Sequence, residues 1–372
     1  MTRDRLASFG ARLSIDLDAL CDNWRSLEAR LHSGECAAVV KADAYGLGAA
    51  QVAPALYRAG CRQFFVAHLN EGIALRPLIP DDAELHVLHG AHPGAEGEFV
   101  RYGLRPVLNS LPQVHAWQAL AAKLGRRLPA ILQVDTGMAR LGLTPEAFSQ
   151  LVATSGGLAG IDLKYLMSHL VSAEDPQSPV NRRQLTGFRA ALAQLPGVRA
   201  SLANSSGVFL GGDYHFDLAR PGAALYGVTP VAGQANPMRQ VIRLQGKVLQ
   251  TRSIAAGTSV GYAHSWTASR SSRIATVAVG YADGYLRSLS NRGVAHCDGI
   301  ALPLIGNISM DTLMVDITDL PEGRIDEGDF LDLADPLNGV DAIAAQAGTI
   351  GYEILTSLGR RYARDYQGAA AA

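Results

Sequence analysis

Long apolar runs are missing from this chain of 372 residues. A membrane-spanning helix needs about 18 or more of them in a row, so none is expected. The opening Met1-Thr-Arg-Asp-Arg-Leu6 has no apolar stretch behind its charges, unlike a secretory signal, and a soluble cytoplasmic protein is expected. Cysteine is scarce: Cys21, Cys36, Cys61 and Cys297 lie too far apart for a zinc or redox pair and are too few for a disulfide framework. They read as small buried hydrophobes. A basic excess is missing too, with 33 basic side chains against 34 acidic ones and no run of like charge, so nucleic acid is not an expected partner. Lysine is the rarest resource. Only Lys41, Lys123, Lys164 and Lys247 carry an amine, so any chemistry that needs one has four candidates.

What is present suffices for a large core, since 48% of the residues are apolar. The length fits two domains, or one large barrel with an addition. From about residue 35 to 225 short apolar runs alternate with helical patterns. Ala37 to Lys41 reads as a buried strand and Ala49 to Ala59 as the helix after it. Further strand-like runs follow at Phe64 to Ala67, Leu85 to Leu88, Arg105 to Leu108, Ala130 to Val134, Asp162 to Met167, Arg199 to Leu202 and Phe216 to Leu218. Eight such units predict an α/β fold, a (β/α)8 barrel of the TIM type, with strands that are near-continuously apolar because both faces are covered. A doubly wound open sheet is the competitor, but no G-x-G-x-x-G follows the first strand.

After about residue 235 the rhythm changes. Val241 to Gln250, Ser272 to Tyr281, Gly293 to Leu304, Asp311 to Asp316 and Asp329 to Leu333 are apolar or alternating runs punctuated by Gly, Asn, Asp and Pro, with little room for helices. Residues 1–235 are therefore assigned to the barrel and 236–372 to a mostly-β domain. The boundary falls at the Ala/Gly-rich Val231 to Pro237, and Gln367 to Ala372 reads as a frayed tail.

Lys41 stands at the C-terminal end of the first barrel strand, where active sites of such barrels are assembled. Its neighbours Val39, Val40, Ala42 and Ala44 are apolar, and desolvation favours a neutral, nucleophilic amine. Lys123 sits near a helix C-terminus, where a cation is at home, and Lys247 belongs to the β domain; Lys164, on a strand, is the rival.

Val40-Lys41-Ala-Asp-Ala-Tyr45-Gly-Leu-Gly48 resembles the pyridoxal-phosphate attachment motif of the bacterial alanine racemases. Other signatures of that family follow in order across the chain: Asp135 to Gly142, Ser168-His169-Leu170, Asn204-Ser205, Arg220-Pro221-Gly222, Gly261-Tyr262, Gly280 to Gly284, Ser309-Met310-Asp311 and Gly351-Tyr352-Glu353. The resemblance implies pyridoxal 5'-phosphate bound to Lys41 as a Schiff base and interconversion of L- and D-alanine for peptidoglycan precursors. A racemase of the same fold acting on serine or a broader range of amino acids is the alternative. A non-catalytic pyridoxal-phosphate carrier would lack the β domain.

The resemblance also implies roles. Tyr45, Asn204, Ser205, Gly222 and Ala223 would hold the cofactor's phosphate end, Arg220 would face its pyridine nitrogen, and His169 would position Arg220. A guanidinium can only donate to an unprotonated nitrogen, which weakens the ring as an electron sink and suits racemisation over transamination. Inversion at carbon needs two acid/base groups on opposite faces. The resemblance gives these as Lys41 and Tyr262, the latter supplied across a homodimer together with Tyr281 and Met310. A phenol is a poor base at neutral pH unless cations stabilise its anion, and His264 and the arginines of the site are the candidates for that. Arg140 would bind the substrate carboxylate with its planar fork of donors. Two positions depart from the family. Gln133 stands where well-known members carry a carbamylated lysine, and counting forward from Tyr352 to the family's C-terminal tyrosine lands on Arg360, leaving Arg360 or Tyr362 as the phosphate contact.

Overall fold

The computed structural model describes residues 8–368. The tail expected from Gln367 onward lies, beyond Gly368, outside the described residues, as does the opening Met1 to Leu6.

The barrel forms as the alternation predicts. Glu35–Cys36 and Ala38–Val39 make its first strand, followed by Gln63–Val66, Glu84–Val87, Arg105–Leu108, Leu128–Gln133, Ile161–Met167, Arg199–Ser201 and Leu218–Ala219. Neighbours pair in parallel around the ring, and Leu218–Ala219 returns to Glu35–Cys36. The last gap closes through Asp217 N to the Ala200 carbonyl and Arg220 N to the Ala203 carbonyl. Strands such as Gln63–Val66 are buried along their whole length, which explains their lack of alternation.

The eighth strand is followed only by the short turn Ala223–Tyr226. The helix Leu17–Glu28 takes the vacant position. Asp16 caps its start by accepting from Ala19 N, Leu17, Leu20, Trp24 and Leu27 form its buried face, and Asn23 Nδ2 donates to the Leu225 and Arg239 carbonyls.

The second domain is a closed antiparallel barrel in the order Ile242–Ile254, Ser272–Val277, Leu313–Asp316, Ile300–Ile305, Val294–Cys297, Phe330–Ala334 and back to the first. Closure is possible because Ile242–Ile254 is 13 residues long, pairing with Phe330–Ala334 at one end and with Ser272–Val277 at the other. The single run expected at Gly293 to Leu304 is two strands. Two helices, Val340–Ala347 and Gly351–Ser357, also occupy a region expected to be nearly free of them.

One correction concerns the chain's start. Ala11–Asp16 pairs antiparallel with Ile242–Ile254 and parallel with Ala363–Gln367, so this strand belongs to the β sheet although residues 1–235 were assigned to the barrel. Its signal is the alternation of buried Ala11, Leu13 and Ile15 with polar residues, which identifies a strand but not its neighbours. All four cysteines are free and buried, as expected.

Candidate functional site

The C-terminal ends of the barrel strands surround a cavity of about 720 Å³. Lys41, Tyr45, Arg140, His169, Asn204, Ser205, Arg220, Gly222 and Ala223 line it, nine residues from five separate stretches of sequence. Tyr262, Tyr281 and Met310 do not line it.

Lys41 leaves the first strand and enters a turn with an unusual backbone. Ala42, Asp43, Ala44 and Tyr45 all have φ between 53° and 55°, forming one turn of left-handed helix. Each such non-glycine residue costs about 1–2 kcal/mol. Contacts from elsewhere offset that cost. Glu71 Oε1 accepts from Ala42 N at 2.6 Å, Asp43 Oδ1 accepts from Ala49 N at 2.7 Å, Arg364 Nη1 donates to the Gly46 carbonyl at 2.6 Å and Tyr366 Oη donates to the Leu47 carbonyl at 2.9 Å. The β domain's final strand therefore holds the turn that aims Lys41.

Lys41 Nζ has no ion pair or hydrogen bond among the described residues. Burial lowers its pKa, Arg140 lowers it further, and Glu71 opposes both. Lys164 pairs with Asp162 at 2.6 Å, Lys123 is exposed in the last turn of its helix and Lys247 lies over the Phe330 ring. Of the four amines, Lys41 is the one that burial and a neighbouring guanidinium turn away from its charged form.

Arg220 is buried and, among the described residues, has no carboxylate partner. Its Nη1 donates to Ser201 Oγ at 2.5 Å and its Nη2 to the Ser168 carbonyl at 2.7 Å, and burial lowers its pKa to about 9. The ring of His169 lies within electrostatic reach of that guanidinium. No hydrogen bond joins that ring to Arg220 among the described residues, and the positioning acceptor is Ser201, whose Oγ in turn donates to the Leu218 carbonyl at 2.6 Å. The reason is that strand Arg199–Ser201 runs directly beside the one that leads into Arg220, placing the hydroxyl against the guanidinium. His169 lies in the same cavity, its pKa driven down to about 3 by burial first and then by Arg220, Arg140 and Lys41. Its ring is neutral at pH 7.

In the same cavity Ser205 Oγ accepts from Gly222 N at 2.9 Å and Ala224 N at 3.2 Å, so one hydroxyl and two amides converge. Asn204 binds backbone on both sides, donating to the Leu170 carbonyl and accepting from Gly207 N. Tyr45 stacks on Tyr226 at 4.6 Å between ring centres. A Cβ at position 222 would come within 2.3 Å of Tyr45 Oη, so only glycine lets the phenol reach this amide cradle.

Arg140 projects from a loop folded around Asp135, whose carboxylate accepts from the amides of Gly137, Met138 and Ala139. Gln133 lines the cavity and donates to the Leu141 carbonyl at 3.1 Å. It therefore braces the backbone beside Arg140.

The aromatic residue from the C-terminal region is Tyr352. It starts the helix Gly351–Ser357, lines the cavity and lies 6.1 Å from the Tyr45 ring, its pKa raised by burial. Arg360 and Tyr362 do not line the cavity, and Tyr362 is buried elsewhere, which corrects the count from the family motif. Sequence reasoning quoted Tyr352 and gave it no role. His89 and His92 were missed as well. They follow the strand Glu84–Val87, so the rule that singled out Lys41 would have found them.

Tyr262, Tyr281 and Met310 stand together on the β domain. Asn307 Nδ2 donates to the Tyr262 carbonyl, Tyr281 N to the Ser309 carbonyl and Ala282 N to the Met310 carbonyl. In this single chain they are 74%, 43% and 54% exposed. Two phenols and a thioether thus form an exposed group on this face. His264, in the same turn as Tyr262, is exposed.

The cavity fits pyridoxal phosphate by its donor set: an unpaired amine, a buried cation without a carboxylate, and an amide and hydroxyl cradle kept open by Gly222. Comparison with known proteins agrees. Residues 15–230 match the model of the alanine racemase N-terminal domain, and residues 241–366 that of the C-terminal domain. A catabolic alanine racemase of Mesorhizobium japonicum is 51% identical over 362 residues, covering 97% of this chain and 94% of the relative. An alanine racemase of Rhodospirillum rubrum is 52% identical over 359 residues, covering 96% of each. The crystal structure of the Bartonella henselae alanine racemase with covalently bound pyridoxal phosphate superposes with a TM-score of 0.92 at 44% identity, covering 96% of this chain and 99% of that one. The chain belongs to the alanine racemase family.

Proposed function

We propose that the protein interconverts L- and D-alanine, with pyridoxal 5'-phosphate held on Lys41, and so supplies D-alanine for peptidoglycan. The observation that carries this reading is the presence in one cavity of Lys41, an amine without an ion pair among the described residues, and Arg220, a buried guanidinium whose partners there are a hydroxyl and a carbonyl. The bound cofactor supplies acidification of the proton on the substrate's α-carbon. Everything else falls to the chain.

Lys41 would hold the cofactor, and its Nζ, when free, would hold or release a proton on one face of the α-carbon. Burial and the Arg140 guanidinium favour the neutral amine that takes up this proton, and Glu71 opposes them. Arg220, held by Ser201 and Ser168, would offer the cofactor's ring nitrogen a donor and no carboxylate. Ser205, Gly222 N and Ala224 N receive the phosphate, with Tyr45 and Tyr352 beside them. Arg140 turns its fork toward the substrate carboxylate. Asn204, Ala223 and the neutral His169 complete the walls.

The second proton is held at Tyr262 Oη. Because Tyr262 does not line the cavity of its own chain, the working unit is a homodimer in which one copy's Tyr262, Tyr281 and Met310 cover the partner's Lys41. Their exposure in the single chain supports this assembly. We place the site of action in the cytoplasm. Independently of this, no helix among the described residues is long and apolar enough to cross a membrane.

Borohydride reduction of the purified protein, followed by peptide mass analysis and a chiral assay on a panel of amino acids, tests the reading. The expected result is a pyridoxyl group on the peptide containing Val40-Lys41-Ala42 and racemisation of alanine above all others. Label on Lys164, or no racemisation of alanine, would overturn it.

A further inference from the structure

The exposed residues on the β domain rest on one polar clamp. Arg361 lies four residues after the helix that carries Tyr352. Its Nε and Nη2 fork onto the Asp283 carboxylate at 2.6 and 2.8 Å, and its Nη1 reaches Asp311 Oδ1 at 2.7 Å. Asp283 is 4% exposed, and its Oδ2 also accepts from Gly280 N, which starts the turn bearing Tyr281. Asp311 follows Met310 in a turn closed by Ser309 and Thr312, and the same loop begins with Asn307, the donor to the Tyr262 carbonyl. The two turns meet so closely that a Cβ on Gly280 would come within 2.3 Å of the Met310 carbonyl oxygen. An exposed ion pair is worth little, but a two-point fork onto a buried carboxylate fixes geometry as well as charge.

Three residues further on, Arg364 leaves the same segment in the other direction, toward the Gly46 carbonyl in the left-handed turn of Lys41, with a second donor on the Gly359 carbonyl. Gly359 N in turn donates to the Asp283 carbonyl. A short stretch of chain thus touches both the turn that aims Lys41 and the loops that carry Tyr262, Tyr281 and Met310.

We propose that Arg361 is a positioning residue that acts across the dimer: by clamping Asp283 to Asp311 it sets where this chain's Tyr281, Met310 and Tyr262 stand in the partner's cavity, while Arg364 acts on Lys41 within its own chain. The proposal rests on the shared-site reading above. Removal of Arg361 leaves the Asp283 carboxylate buried without its counter-charge and frees the loop of Met310 from the turn of Tyr281. A group misplaced by about an ångström costs on the order of 100-fold in rate, so a loss of about 10- to 100-fold is expected at the site that the altered chain helps to build.

Heterodimers with a single working site separate the two chains. One chain carries Lys41→Ala and keeps Tyr262; the other carries Tyr262→Phe and keeps Lys41. Their heterodimer, confirmed by mass, holds one site with neither lesion. Arg361→Ala added to the Lys41→Ala chain should lower activity by the factor given, whereas the same change on the Tyr262→Phe chain should leave it within about twofold. Arg364→Ala should show the reverse pattern. A general loss of folding would lower both arrangements alike. Where Arg361→Ala prevents assembly, Arg361→Lys, which keeps the charge and loses the fork, is read by the same criterion. Equal losses in both arrangements, or none in either, overturn the proposal. No activity in the heterodimer before Arg361 is touched overturns the shared-site reading itself.

Discussion

Ser201 is the most economical place to test how Arg220 is held. Its side chain is fully buried, and its hydroxyl accepts from Arg220 Nη1 at 2.5 Å while donating to the Leu218 carbonyl at 2.6 Å. Ser201→Ala deletes one oxygen. It leaves an N–H of a cation and a backbone carbonyl facing a dry gap in the barrel. A hydrogen bond to a charged group contributes about 1.5–3 kcal/mol, and orphaned buried partners add to the loss, so a destabilisation of about 2–4 kcal/mol is expected. The guanidinium keeps only the Ser168 carbonyl, through Nη2. Free to rotate about that contact, it should lower kcat/KM for racemisation by about 10- to 100-fold. Urea unfolding followed by circular dichroism measures the first effect and a chiral assay the second. His169→Gln is the comparison, and because no bond joins His169 to Arg220 its kinetic loss should be the smaller. A Ser201→Ala enzyme within about threefold of the parent, with His169→Gln far below it, would return the positioning role to the histidine and refute the reasoning.

Two further outcomes follow from the cavity walls. Gly222→Ala places a methyl group 2.3 Å from Tyr45 Oη, in a ring already stacked on Tyr226, and overpacking of this kind costs about 1–3 kcal/mol; cofactor affinity, measured by fluorescence titration, should fall about tenfold, and unchanged affinity would show that the cradle has room to spare. The pKa of His169, lowered from 6.5 to about 3, means that only the unfolded chain takes up this proton between those values; stability therefore rises with pH across that window, is complete above pH 6.5, and drops by about 2 kcal/mol between pH 6.5 and 5, a slope that His169→Gln should flatten and that denaturant melts at stepped pH would reveal. Buried His86 is shifted the same way and supplies a slope that remains in the variant.

The alternation of apolar runs and helical patterns made the barrel legible, because strand and helix periodicities are properties of neighbouring residues. The same holds for Lys41, placed at a strand end by its flanking valines. The family motifs located Arg140, Ser205, Gly222 and Arg220 before any contact was known, and all four line one cavity. Tyr352 illustrates the limit. Its motif was visible, but counting along the chain pointed to Arg360 or Tyr362, since sequence distance does not say which way a short helix leans.

By itself, then, the sequence determined the alternating strands and helices of the barrel, which of four lysines stands at its rim, and which side-chain chemistries are available there. Tertiary structure decided the rest. Lys-Ala-Asp-Ala-Tyr at positions 41–45 carries no local instruction for a left-handed turn, and Ala42 to Ala44 would favour the right-handed form. The unfavourable hand coincides with contacts from Glu71, 29 residues away from Ala42, and from Arg364, 318 away from Gly46. Ala11–Asp16 joined the β domain, and Ser201 took over Arg220, for the same reason. Local periodicity is set by bonds between near neighbours, whereas these choices depend on the path of the whole chain, which brings distant hydrogen-bonding groups into reach and makes leaving them unpaired more costly than the strain they impose.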